Sequence, residues 1–331
     1  MAIQLYNPFE SMHFGMQTCF LTGKPLDANT EPIPIFPEWV LERYNLSDQT
    51  FKMLDEKTRV PYKNLKVPFS KDVIENALDP LETEIEKAFC TGYDEVVKIP
   101  EERLFQWMAK LMLGVLFEDL RIAQTKLAEQ DDTLRLSGFL KARFQKLHSM
   151  LQSLVVPMEF NGLKPWSIRV FKVKYSTDLF NYKDETNNLN FSLSMNDFGI
   201  VACLQDNGEV GKKFDDLTNR IGNQTLHPIQ FEELCAKFIY ANYLLTDYAS
   251  YAVTLDEDKV TIESQPLVAK PGTDLFDYWD DNMYGQVLAN YWKPWALTMK
   301  EIIQFPNPPI SFLESDYSDE IIALEKINQP Y

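Results

Sequence analysis

The chain has 331 residues, 45% hydrophobic, 13% aromatic and 24% charged, which supplies enough apolar surface to offset chain entropy and excludes a disordered protein. With 32 Lys+Arg against 49 Asp+Glu the formal net charge is −17, which repels polyphosphate and makes nucleic acid an unlikely partner. No window reaches the ~18 consecutive apolar residues of a spanning helix, and the first residues lack the basic and apolar regions of a secretory signal, so a cytoplasmic protein with no membrane partner is expected.

In chain order the texture changes three times, which predicts a module over 1–98, a helical segment over 99–157 and an α+β domain over 158–331. Residues 1–98 are rich in proline and turn residues, with a helix predicted from Asp79 to Phe89. From Glu101, Leu104, Trp107, Met108, Leu111 and Val115 recur at three- and four-residue steps and put one apolar stripe on a helix of about five turns. Glu101 and Glu102 suit its N-terminus, where the helix dipole favours negative charge. A second helix, from about Leu136 to Leu154, carries Phe139, Leu140, Phe144, Leu147 and Leu151 at similar spacing, and the two are expected to pack together.

After Pro157 the period shortens toward two. "WSIRVFKVKYS" reads as a strand, and "NFSLSMNDFGIVACLQDNG" as two antiparallel strands around an Asn196-Asp197 turn, with a further turn at Asp206-Asn207-Gly208. Helical spacing returns through Phe231, Leu234, Phe238 and Ala241, with Pro228 near the first turn. "YASYAVTLDEDKVTIES" predicts a hairpin with its tip at Asp256 to Lys259, and a last long helix is expected from about Leu275 to Ile303, interrupted near Pro294. The tail ends in acidic, proline-containing sequence. The fold class expected is α+β: a small irregular finger-like N-terminal module, a helical middle and antiparallel hairpins with packed helices.

Cys19, Cys90, Cys203 and Cys235 are widely spread with no C-x-x-C pair, as befits reduced, mostly buried thiols rather than a disulfide framework or a cysteine-rich zinc site. G-x-S-x-G elbows, G-x-x-x-x-G-K-[ST] phosphate loops and H-E-x-x-H metal helices are absent. Carboxylate pairs, such as Asp277 with Asp280 and Asp281, are too common in so acidic a chain to be diagnostic.

"CFLTGKPLDANTEPIPIFPEWVLERY", followed by "KVPFSKDVIENALDPLETEIEKAF", resembles the N-terminal module of the HNH (His-Me finger) endonuclease-like families over residues 17–89. In a zinc-bearing subset of these, a C-x-x-C-G knuckle precedes a Glu-His-x-x-Pro-x-Trp segment, and a second C-x-x-C-Asn pair leads into a helix. Gly23, Pro37, Trp39, Leu78, Leu81 and Glu82 match the framing positions. The chemical positions do not match: the four knuckle positions hold Cys19, Thr22, Phe69 and Asp72, and Pro34 stands where the families carry the histidine general base. A structural zinc needs four thiolate or imidazole ligands, and proline has no side chain to accept a proton. The resemblance therefore implies a module that has lost both metal and base.

His13, His148 and His227 are the chain's three histidines, and each is expected in a surface or satisfied core role. The function expected is non-enzymatic, without cofactor, metal or catalytic residue: binding of a protein or small ligand by a catalytically inactive HNH-like protein. The alternatives are a divergent metal-dependent nuclease acting on DNA or RNA, and an acidic inhibitor of a basic nucleic-acid-binding partner. Trp279, Tyr284, Tyr291, Trp292 and Trp295 are the candidate contact surface, since amphipathic aromatics anchor interfaces; packing of the last helix against the sheet explains them equally.

Overall fold

The computed structural model describes every residue except 1, 2, 28, 176, 270, 305, 316–319 and 331. The architecture is α+β, with helices beside antiparallel sheets. Among the described residues no helix is long and apolar enough to cross a membrane. The chain divides into two compact units: Met1–Ala88 with Ile99–Phe160 and Ala252–Ile262, and Phe89–Lys98 with Asn161–Tyr251 and Glu263–Tyr331. Residues 99–157, set apart by their helical texture, fall in one unit with residues 1–88 of the N-terminal module, while residues 89–98 belong to the other unit. The acidic tail falls in part on residues 316–319 and 331, outside the described residues.

In the first unit, strand β1 (Ile33–Pro34) leads through Pro37 into helix α1 (Glu38–Arg43). A three-residue ladder joins β2 (Thr50–Lys52) to β3 (Arg59–Pro61), and β4 (Lys66–Val67) returns to pair antiparallel with β1, Ile33 opposite Val67. Helix α2 then spans residues 71–91, longer than the stretch from Asp79 to Phe89 that periodicity predicts. Its turn Ile74–Leu78 is π-helical. Pro80 follows and has no N–H to give the carbonyl four residues back, so the ladder widens just before it.

Helix α3 (Glu101–Ala128) is the spine of this unit. Every residue from Leu104 to Leu120 is buried, on all faces and not only along the predicted stripe, which makes α3 a core helix. Each fully buried Leu, Met or Phe there contributes about 2 kcal/mol over its exposed state, which is why so long a helix persists without strong capping. Helix α4 (Gly138–Leu151) is capped by the Ser137 side chain and packs on α3. The hairpin of Tyr251–Leu255 and Val260–Ser264 adds Met158–Gly162 as a third strand beside Val260–Ser264.

The second unit is built on a four-stranded antiparallel sheet of β5 (Ser167–Lys172), β6 (Phe180–Glu185), β7 (Asn190–Met195) and β8 (Phe198–Cys203), in the order β5-β8-β7-β6. The Asn196-Asp197 turn joins β7 to β8, with Asn196 in the left-handed region at φ 54°. Helix α5 (Pro228–Tyr243) begins with Pro228 in its first turn and His227 as N-cap, and lays Phe231, Leu234 and Phe238 into one core cluster with Phe171, Val201 and Cys203.

The long C-terminal helix expected from Leu275 is shorter: α6 spans Asp281–Tyr291. The Asp280 side chain accepts from the N–H groups of Asn282 and Met283, fixing the start. At the other end a 3-10 turn at Lys293–Trp295 contains Pro294, which cannot continue the helical ladder.

Candidate functional site

Residues 17–26 close a tight turn. Cys19 N–H donates to the Lys24 carbonyl at 2.8 Å, Gly23 N–H donates to the Cys19 carbonyl at 2.9 Å, and Gly23 takes φ +70°, which a side chain would resist. Phe20 N–H donates to the Pro68 carbonyl at 2.8 Å, so the two knuckle segments lie side by side. Their four side chains do not converge on a metal. Cys19 and Phe69 are buried, Phe69 with its ring 6.5 Å from that of Phe20; Thr22 is half-buried; Asp72 is exposed and accepts from Asn76 Nδ2 at 2.8 Å. Among the described residues no group of three or more His, Cys, Asp or Glu side chains could hold a metal ion.

Pro34 lies on the wall of a cavity of about 430 Å³. Pro37, Trp39, Leu78 and Glu82, four of the positions that frame the HNH resemblance, line it as well, and Ile74 and Leu78 come from the π-helical turn of α2. At its back Glu82 Oε2 accepts from Trp107 Nε1 at 3.1 Å and from Trp39 Nε1 at 3.4 Å, while Oε1 accepts from the Lys110 ammonium. Lys110 is buried in α3, and its charge is spent on Glu82. Glu38, Glu42, Asp79 and Glu86 complete the wall; all four are exposed, and among the described residues none has an ion-pair partner. A cavity with one neutralised lysine and four open carboxylates is a well of negative potential.

The histidines have other tasks. His148 is buried and bonds the Phe20 carbonyl through Nε2 at 2.7 Å, while Nδ1 faces Gln152 Nε2 at 3.2 Å. Burial pushes its pKa down to about 4, against the opposing pull of its carbonyl partners. His227 Nδ1 caps α5 by accepting from Ile229 N–H at 3.1 Å, and exposed His13 meets Gln124 at 3.2 Å. None of the three lines the cavity.

The aromatic contact surface requires correction. Trp292 is fully buried and donates its Nε1 proton to the Ile229 carbonyl at 3.0 Å, and Tyr284 is buried in the same core cluster. These side chains pack α6 against α5 together with Ile229, Ala236 and Tyr240, and Trp279, Tyr291 and Trp295 pack on the same cluster half-buried. The last helix thus packs on α5, and Tyr291 also reaches the sheet, lying on the core cluster of Phe171, Val201 and Cys203 with Lys183 Nζ 4.6 Å from its ring centroid. Three cysteines are buried, Cys90 is exposed, and all four are free thiols.

Sequence reasoning singled out Trp39, Glu82 and Trp107 separately but did not join them to one another or to Lys110. The Glu82–Lys110 pair spans 28 residues and no local spacing encodes it. Compared with known proteins, the chain matches no family model, no curated protein and no solved structure.

Proposed function

We propose that residues 17–89 are a metal-free derivative of the HNH-like module and that its cavity binds a positively charged group, an arginine side chain of a protein partner, without catalysing a reaction. The supporting observation is the cavity wall: the framing positions Pro37, Trp39, Leu78 and Glu82 enclose it, Pro34 stands in it, and its free charges are four carboxylates. A guanidinium fits such a wall because it is planar, forks toward carboxylates and stacks on an aromatic face, which Trp39 supplies. The net charge of −17 favours encounter with a basic partner in the same sense.

The test is calorimetric titration of a short arginine-containing peptide, alongside the same peptide with citrulline, which keeps the shape and loses the charge. Arginine should bind, and citrulline should bind at least tenfold more weakly. Replacing both Glu42 and Glu86 by glutamine should remove most of that difference. Equal affinity for the two peptides would rule out a cation pocket.

A further inference from the structure

The hairpin of Tyr251–Leu255 and Val260–Ser264 has a fixed register. Asp256 N–H donates to the Lys259 carbonyl at the tip and Gln265 N–H to the Ser250 carbonyl at the base, both at 3.0 Å, which sets Leu255 opposite Val260 and Val253 opposite Ile262. Val260 N–H turns away from the hairpin to the Pro157 carbonyl at 2.9 Å, as that register requires. The same alternation turns the N–H and C=O groups of Val253 and Leu255 outward. Tyr251–Leu255 is the outer strand of its sheet, so among the described residues no strand takes them up.

The side chains repeat the pattern. Val260 and Ile262 are 0% and 1% exposed, whereas Val253 and Leu255, on the same face one strand further out, are 48% and 47% exposed. The apolar face of the sheet therefore runs past the core and ends uncovered. Outer strands are ordinarily guarded by charge or proline, and β6, at the edge of its own sheet, carries Lys183, Asp184 and Glu185. Residues 252–255 hold no charge, no proline and no glycine. Just beyond them Asp256, Glu257 and Asp258 are all exposed and have no ion-pair partner among the described residues, while Lys259 is taken by Glu159 at 2.8 Å.

We infer that this strand is the docking edge for an extended segment of a basic protein, which adds antiparallel to it as a fourth strand. Two residues of that segment, two apart, exchange main-chain hydrogen bonds with Val253 and Leu255 and lay apolar side chains beside them on the uncovered face. The antiparallel direction brings the residues just before that pair to the acidic tip, where lysine or arginine meets the carboxylates of Asp256, Glu257 and Asp258. A second copy of this chain fits less well. It sets a net charge of −17 against −17, and a pair of five-residue strands falls far short of the roughly 20–30 residues a side of a stable interface. The edge shares no residue with the cavity beside Glu82 and stands independently of the function proposed for that cavity.

The probe is the acetylated, amidated peptide Arg-Lys-Val-Thr-Val-Thr, whose valines match Leu255 and Val253, titrated calorimetrically into the full chain. It should bind, and the same peptide beginning Glu-Glu should bind roughly tenfold more weakly or worse. N-methylation of both valines deletes the two donors that face the strand and should cost roughly tenfold or more, whereas N-methylation of the threonine between them, whose N–H points away, should cost about twofold at most. Val253→Pro, tolerated on an outer strand because the lost N–H faces solvent, should weaken the peptide roughly five- to tenfold. Failure of the peptide to bind, or equal losses from the two N-methylations, overturns the inference. So does a dimer of the free chain, seen by sedimentation, that Val253→Lys dissolves, since a second copy would then hold the edge. If Val253→Pro does not fold, as judged by circular dichroism, the N-methylated peptides on the wild-type chain decide the question alone.

Discussion

Lys110 and Glu82 form an ion pair in which the lysine side chain is 5% exposed and the glutamate 19%, so the cation is the more deeply enclosed partner. That asymmetry sets the cost of breaking the pair. Glu82→Gln strands a buried ammonium and should cost about 3 kcal/mol, whereas Lys110→Met leaves a carboxylate that keeps two indole donors and some water and should cost about 1 kcal/mol. Urea unfolding of the two variants measures the difference. Equal losses would show that Lys110 does not depend on Glu82.

His148 should stay neutral far below the ordinary imidazole range, with the proton on Nε2 facing the Phe20 carbonyl. Its folded pKa, about 4, lies below the unfolded value of about 6.5, so the unfolded chain takes up the proton first. The stability this contributes is present above pH ~6.5 and is lost, up to about 3 kcal/mol, as pH falls toward 4. Nitrogen-15 NMR of the ring checks the titration, and His148→Gln should flatten the decline in stability between pH 6.5 and 4. A ring that protonates near pH 6 would contradict this.

Asp206 acts with the opposite sign. Burial pushes its pKa up to about 6, despite donors from Ser167 Oγ at 2.5 Å and Val210 N–H at 2.9 Å. The folded chain therefore holds the proton longer than the unfolded one, and stability from this group falls as pH rises from about 4 to 6. Ser167→Ala removes a hydrogen bond to a buried carboxylate and should cost about 2 kcal/mol at pH 7.5, where the group is ionised, and less at pH 5. Unfolding curves at the two values test this, and a loss independent of pH would contradict it.

Gly199 of β8 is set against Phe231 of α5 so closely that an added Cβ would sit 2.5 Å from the ring. Gly199→Ala should cost about 1–3 kcal/mol by pushing α5 off the sheet, and Phe231→Leu in the same chain should recover part of it. Thermal unfolding of the single and double variants provides the measurement.

Several elements were legible because local chemistry marks them. Asn196-Asp197 announces the β7–β8 turn, Pro228 the first turn of α5, and Asp256 to Lys259 the tip of a hairpin. Others carry no such mark. The strands β2 and β3 have three residues each, too few for alternation to register, and every residue of β6 is half-buried, which erases the two-residue period. The aromatics after Tyr278 gave no clue to their burial, because the same residue types serve interfaces and cores. The cavity was half legible. Its framing residues stand out within residues 17–89, but Lys110 comes from α3, and only the fold brings that lysine to Glu82.

We propose that the knuckle positions of residues 17–89 bind no metal and that the cavity beside them takes an organic cation. Mass-spectrometric metal content of the purified chain, with melting curves before and after a strong chelator, tests it most directly. The expected result is less than a tenth of an equivalent of zinc or magnesium and an unchanged midpoint. One equivalent of either metal, lost to chelator together with a fall in the midpoint, would contradict it.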